Sequence, residues 1–187
     1  MAVKSDVQLD AKGLACPMPI VRTKKAMNQL EDGQVLEIQA TDKGSKADLT
    51  AWAENVGHQY IGTIEDGDVL VHYIRKCSNE SVVEGSHQPT LSNEEAVQRA
   101  AQGGLILDVR EEAEYAFGHL EGAKSIPMGE LDARMHELNK DQELYVICRT
   151  GTRSDLAAQK LSRSGFTHVY NVRPGMLAWN GQLSKNV

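Results

Sequence analysis

The chain has 187 residues, a formal net charge of −6 and three cysteines, Cys16, Cys77 and Cys148. That length fits one large domain or two small ones, each able to bury a core without disulfide staples. The acidic balance argues against nonspecific binding to nucleic acid or anionic membranes. No apolar run is long enough to span a bilayer, and residues 1–6 lack an apolar signal core. The cysteines are far apart and odd in number, no C-x-x-C occurs, and the six histidines are scattered. This pattern predicts no structural metal site, no bound cofactor and free thiols in a reducing, cytoplasmic setting.

Residues 7–10 alternate like a short strand. After Gly13-Leu14-Ala15-Cys16-Pro17-Met18-Pro19, the positions of Ile20, Val21, Lys24, Ala26, Met27 and Leu30 suggest an amphipathic helix that Asp32-Gly33 ends. A proline fits a first helical turn, where its missing N–H had no partner. Cys16 is therefore expected at or beside a helix N-cap, with Lys12, Arg22, Lys24 and Lys25 nearby in sequence. Residues 35–40 read as a strand. Residues 45–56 read as a helix with Leu49, Trp52, Ala53 and Val56 on one face, stopped by Gly57. Residues 59–64 and 69–74 read as strands joined across Glu65-Asp66-Gly67-Asp68. The order βαβαββ predicts a two-layer sandwich with both helices on one face.

The stretch Gly13-x-x-Cys16-Pro17-x-Pro19, preceded by Leu9-Asp10 and opening the first helix, resembles the TusA/SirA group of small sulfur-carrier proteins. The resemblance covers about residues 6–76. It implies that Cys16 carries a persulfide and hands the outer sulfur to a partner, with Pro17 and Pro19 shaping the site.

Residues 76–90 are polar and offer little to a core. They read as a linker, which divides the chain into a domain over 1–76, a linker over 77–89 and a domain over 90–187. About 14 flexible residues reach roughly 20 Å, enough for the two domains to meet. Cys77 has two readings here, a thiol that resolves a persulfide as a disulfide or an incidental residue. His87 reads as incidental.

In the second half, Ser92 or Asn93 caps a helix and residues 104–110 form a short apolar strand ending in charge. Residues 111–117 read as a helix, 125–127 as a strand and 131–138 as a helix. The apolar run 144–147, a loop over 148–154, a helix over 155–161 and a strand over 168–172 complete the order. Strands alternating with helices predict a parallel sheet covered on both faces.

That loop, Cys148-Arg149-Thr150-Gly151-Thr152-Arg153-Ser154, lies where a strand ends and a helix begins. Open α/β sheets bind ligands at such junctions. The free N–H groups and positive end of the helix favour an anion, and two arginines add charge. The setting favours a thiolate. A helix end alone contributes about 0.3–1 kcal/mol, so converging N–H groups and the arginines are expected to supply the rest.

Residues 90–183 resemble the rhodanese domain. The matching stretches are Asp108-Val109-Arg110-x-x-x-Glu114-Tyr115-x-x-Gly118-His119-Leu120-x-Gly122-Ala123, Cys148-Arg149-x-Gly151-x-Arg153-Ser154 and Gly175-Met176-x-Ala178-Trp179. Many members of that family have two glycines before the last segment, whereas Pro174 precedes Gly175 here. The resemblance implies that Cys148 is the nucleophile and that the N–H groups of residues 149–154 cradle its sulfur. It further implies that Arg153 and Ser154 stabilise the loop and that Asp108 and Arg110 brace it. His119 reads as a bracing residue rather than a general base.

Protein phosphatases and arsenate reductases that resemble this fold use a loop one residue longer than the six positions from Cys148 to Arg153. The smaller ring suits a persulfide better than a phosphate. The expected function is a sulfurtransferase that takes sulfur from thiosulfate or a polysulfide onto Cys148 and relays it through Cys16 to acceptor thiols or sulfur-relay proteins. The reverse direction, a non-enzymatic adaptor and a thiol redox sensor are the competing readings.

Overall fold

A computed structural model describes residues 3–78 and 87–187. The chain divides into two compact units, taken here one at a time. Within the expected linker, residues 79–86 lie outside the described residues.

The first unit runs β1 (Val7–Ala11), α1 (Met18–Gln29), β2 (Val35–Ala40), α2 (Ser45–Asn55), β3 (Gln59–Asp66) and β4 (Val69–Arg75). The sheet order is β1-β2-β4-β3. β1 and β2 are parallel, and the other two pairings are antiparallel. Alternate strand residues Ala11, Leu36, Ile38 and Ile74 face Met27, Leu30, Leu49 and Ala53 of the helical layer. This is the expected two-layer sandwich. Because β1 and β2 are parallel, both helices start at the same edge of the sheet, and that edge carries Cys16.

The helical stripes differ from the expected ones. α1 buries Pro19, Thr23 and Met27, spaced four apart, while Val21, two residues from Thr23, falls on the opposite side and is exposed. Val56 follows the last residue of α2 and turns out to solvent.

The second unit contains β5 (Thr90–Leu91), α3 (Asn93–Ala100), β6 (Leu105–Asp108), α4 (Glu112–Phe117), β7 (Lys124–Ser125), α5 (Leu131–Arg134), β8 (Leu144–Ile147), α6 (Thr152–Arg163) and β9 (Val169–Val172). The sheet order is β5-β9-β8-β6-β7, with every pairing parallel. Leu144 and Val146 of β8 point to a core shared with Leu131, Ala157 and Leu161. Tyr145 and Ile147 point to the other core, shared with Leu91 and Ala96. The sheet is thus buried on both faces, which accounts for unbroken apolar strands. The short strand β5 has no counterpart in the sequence reading, and α5 is one turn of α-helix between two 3₁₀ turns. Helix α6 starts at Thr152 rather than at Asp155.

Candidate functional site

In the first unit, Cys16 sits in the turn between β1 and α1. Gly13 adopts a left-handed φ of 73° and donates its N–H to Thr41 Oγ1 at 2.9 Å, which bends the chain off the end of β1. Met18 N–H then donates to the Ala15 carbonyl at 3.0 Å across Cys16 and Pro17. Pro17 occupies the N-cap, and its carbonyl accepts from Ile20 and Val21 at 3.1 and 3.2 Å. Pro19 is buried in the first turn, where no donor is needed. The result is an exposed Cys16 thiol directly before a helix.

The charges that act on this thiol are those of Asp48 and Asp42, not of the lysines and arginine near it in sequence. Lys12 is engaged by Gln39 at 3.1 Å and Asp10 at 3.6 Å. The carboxylates of Asp42 and Asp48 converge on the start of α2, where a Cβ on Gly44 would lie 3.6 Å from one and 3.9 Å from the other. Hydrogen bonding to Asp48, with desolvation and the charges of Asp48 and Asp42, pushes the Cys16 thiol above its ordinary value.

Beneath the start of α2, His72 is fully buried. It bonds Ser45 Oγ at 2.9 Å through Nε2, and through Nδ1 it bonds Tyr60 Oη at 2.8 Å and Thr63 Oγ1 at 3.0 Å. Burial, with Lys46 nearby, holds its pKa down to about 4. Cys77 lies just past β4, with its sulfur 3.3 Å from Arg75 Nη1 and its N–H donating to His58 Nδ1 at 3.3 Å. It is tethered to the end of this unit.

In the second unit, Cys148 directly follows β8 and is 1% exposed. Gly151 takes a left-handed φ of 92°, and this turns the chain so that its N–H donates to Cys148 Sγ at 3.1 Å. Helix α6 follows at once, with the Asp155 N–H donating to the Gly151 carbonyl at 3.2 Å. The loop proper is therefore only residues 149–151, and Thr152, Arg153 and Ser154 belong to the first helical turn. Ser154 Oγ lies 3.3 Å from Cys148 Sγ and donates its own proton to Asn171 Oδ1 at 2.7 Å. With that proton committed, the serine presents a lone pair to the thiol and accepts from it. Gly151 is the one residue whose backbone N–H reaches the sulfur among the described residues.

Several residues hold this arrangement in place. Asn171, on β9 and fully buried, also donates to the Gly151 carbonyl at 3.3 Å and to Asp155 Oδ1 at 3.2 Å. Asn93, on α3, clamps Gly175 by donating to its carbonyl at 2.9 Å and accepting its N–H at 3.2 Å. Gly175 lies so close under the loop that a Cβ there would stand 2.6 Å from the Cys148 carbonyl oxygen. Met176 and Leu177 donate to the Cys148 and Arg149 carbonyls at 2.9 Å each. The sequence reads Asn93 only as an alternative cap, a role that Ser92 takes, and Gly175 only as part of a matching stretch, and it gives Asn171 no role. The signal was present in Asn171, a polar residue at an inward strand position beside Val169 and Val172.

The two loop arginines have different duties. Arg153 turns inward and forms a fork with Glu114 of α4, at 2.7 and 3.0 Å. Its charge is neutralised there, so it stabilises the loop without lending charge to the sulfur. Arg149 is half-buried and Thr150 is exposed at the rim. Asp108 and Arg110 pair at 2.6 Å at the end of β6, and Arg110 also donates to the Gly118 carbonyl at 2.7 Å. His119 stacks on Tyr115 at 3.7 Å with Nδ1 on the Tyr115 carbonyl, so its ring is occupied in packing. His87 is part of this unit's surface. It gives its N–H to Asp155 at 2.8 Å and its ring to the Val169 carbonyl at 2.7 Å.

Among the described residues there is no group of three or more His, Cys, Asp or Glu placed to hold a metal ion. No described helix is long and apolar enough to cross a membrane.

Comparison with known proteins matches both units. The family described as "Sulfurtransferase TusA" matches residues 7–76, and the family described as "Rhodanese-like domain" matches residues 92–182. Two Bacillus subtilis proteins that carry the name "Putative sulfur carrier protein" are similar. YrkF is 49% identical over 182 residues, spanning 96% of this chain and 98% of that protein. YrkI is 64% identical over 74 residues, spanning 40% of this chain and 99% of that protein. An Allochromatium vinosum protein named "Sulfurtransferase" is 36% identical over 91 residues, spanning 48% of this chain and 85% of that protein.

Proposed function

The chain belongs to the TusA sulfur-carrier and rhodanese-like sulfurtransferase families, and from that premise we propose that it is a two-thiol sulfur relay. In this reading Cys148 takes sulfane sulfur from a small donor such as thiosulfate or a polysulfide, and Cys16 receives it for delivery to an acceptor thiol or sulfur-relay protein. The observation that carries the reading is the pairing of thiols of opposite character. Cys148 is buried with its sulfur on the Gly151 N–H, while Cys16 is exposed before a helix.

In the loading step, the Cys148 thiolate attacks the outer sulfur of thiosulfate. The donor's S–S bond breaks, sulfite leaves with the electron pair, and a Cys148 persulfide remains. No oxidant is needed, and the charge of thiolate plus thiosulfate equals that of persulfide plus sulfite. The Gly151 N–H and the half-buried Arg149 stabilise the anionic transition state. In the transfer step, the Cys16 thiolate attacks the outer sulfur of that persulfide and Cys148 leaves as a thiolate. In this reading Asp48, which raises the Cys16 thiol chiefly by hydrogen bonding, receives the proton that Cys16 must lose.

The test is peptide mass mapping of the full chain after thiosulfate treatment, on the native protein and on Cys148→Ala and Cys16→Ala. The relay predicts one added sulfur on Cys148 in Cys16→Ala and none on Cys16 in Cys148→Ala. Equal loading of Cys16 in the absence of Cys148 overturns it. Thiosulfate:cyanide turnover is expected to vanish in Cys148→Ala and to persist in Cys16→Ala.

A further inference from the structure

Four arginines border the Cys148 loop or its supports, and two of them are already paired. Arg110 is bound to Asp108 and Arg153 to Glu114, both pairs buried. The other two, Arg149 and Arg173, have no carboxylate partner among the described residues. Arg149 belongs to the loop itself. Arg173 comes from the end of β9, and neither periodicity nor motif drew attention to it.

The placement of Arg173 is specific. Its side chain lies along Gly151, where a Cβ would stand 2.9 Å from Arg173 Cγ and 3.2 Å from Arg173 Nε. Gly151 is the residue whose N–H holds the Cys148 sulfur. A side chain at position 151 would have to displace Arg173 and would be strained at this φ. The backbone of Arg173 is pinned as well, since its N–H donates to the Leu91 carbonyl at 2.9 Å and Pro174 follows. A pinned stem with an exposed, unpaired guanidinium beside the residue whose N–H holds the reacting sulfur fits a group that must meet a charged ligand. A guanidinium presents its N–H donors as a planar fork, which matches two oxygens of one oxyanion.

On the basis of the sulfurtransferase reading above, we propose that Arg173 determines donor specificity by holding the oxyanion end of a small sulfur donor, the sulfonate of thiosulfate, while the donor's outer sulfur faces Cys148. The balance of the loading step is unchanged. Arg173 forms no bond that breaks, and it is a contact to the leaving sulfite. Donors whose leaving group carries no oxyanion gain nothing from it.

The test compares two donors in the full chain, thiosulfate and the persulfide of an uncharged small thiol such as 2-mercaptoethanol. For each, kcat/KM for loading Cys148 is measured in the native protein, Arg173→Gln and Arg173→Lys. Loss of one charge-assisted contact lowers the thiosulfate-to-persulfide ratio about tenfold in Arg173→Gln, about 1.4 kcal/mol, with the loss in KM for thiosulfate. Arg173→Lys, which keeps the charge without the fork, recovers part of it. Equal losses with both donors, or no change in the ratio, overturn the proposal. So does a defect confined to transfer onto an acidic acceptor protein. If the native protein loads Cys148 from neither donor, it is the sulfurtransferase reading that fails.

Discussion

The two thiols sit in similar local architecture and opposite surroundings. Each follows a strand that is parallel to its neighbour and precedes a helix, so each is near free N–H groups at a positive helix end. Cys148 is enclosed by Gly151, Ser154 and a network reaching β9 and α3. Cys16 has a turn built from local bonds, one bond to Thr41 and two prolines, with the carboxylates of Asp42 and Asp48 acting on the thiol. A shared strand–helix junction therefore does not define the chemistry of a cysteine. What is packed behind the junction does. A braced, dry site suits a step in which charge must be stabilised at one place. An open site suits a sulfur that must be presented to different partners.

The sharpest way to break that comparison is to insert one methyl group under each turn. Gly175 has φ 92° and ψ −170°, a region essentially restricted to glycine, and its Cβ would meet backbone oxygens of Cys148 and Arg149 at 2.6 and 2.8 Å. Backbone strain plus overpacking makes Gly175→Ala cost about 3–4 kcal/mol. Gly13, at φ 73°, has nothing within 4 Å of its Cβ position, so Gly13→Ala costs only the left-handed backbone term of about 1–2 kcal/mol. Urea denaturation checks both, followed at Trp179 in a Trp52→Phe background and at Trp52 in a Trp179→Phe background. Equal costs at the two glycines would remove the contrast between a braced and an open turn.

The units are also expected to part company in acid. His72, under the start of α2, has a folded value of about 4 against an ordinary value of 6.5. As pH falls, the unfolded chain takes up this proton first. The contribution of neutral His72 to stability is therefore complete above pH 6.5. It declines as pH falls toward about 4, and the decline levels off below that. The hydroxyls of Ser45, Tyr60 and Thr63 face the ring, and no carboxylate is among its hydrogen-bond partners to offset its protonation. Thermal unfolding followed at Trp52 between pH 7 and pH 4 checks this as a falling midpoint. A flat midpoint would mean that the cluster opens to solvent before the unit unfolds.

Much of this architecture was legible in the sequence because it is written in short-range signals. Periodicity and glycine placement marked both element orders, and the residues around Cys16 and Cys148 are contiguous. The supports of Cys148 were not legible, because they come from far along the chain. Asn93 and Gly175 are 82 positions apart, and Glu114 and Arg153 are 39 apart. An asparagine at a helix start reads as a cap, and nothing local says that its side chain holds a distant glycine. The same limit hid the charge at Cys16. Lys12, Arg22, Lys24 and Lys25 are its neighbours in sequence, but the parallel strands bring the start of α2, with Asp42 and Asp48, to its side in space. Thr23 in place of Val21 on the buried face of α1 is a smaller instance, in which one helical turn decided between two similar stripes.

The smallest expected effect is the most informative about Cys16. Asp48 raises the thiol chiefly by hydrogen bonding, whereas Asp42 contributes only its charge and ranks last among the causes. Asp48→Asn is therefore expected to speed iodoacetamide alkylation of Cys16 near pH 7 by a few fold, Asp42→Asn by less, and Asp48→Glu least. Alkylation is read by peptide mapping in the full chain, so Cys148 in the same sample serves as the internal reference. If Asp48 is also the acceptor of the Cys16 proton, sulfur transfer from loaded Cys148 slows in Asp48→Asn even as alkylation quickens. Opposite movement of the two rates separates a proton acceptor from a simple electrostatic brake, which would release both. Unchanged alkylation in Asp48→Asn would show that the carboxylate does not govern this thiol, and the contrast between the two sites would then rest on burial alone.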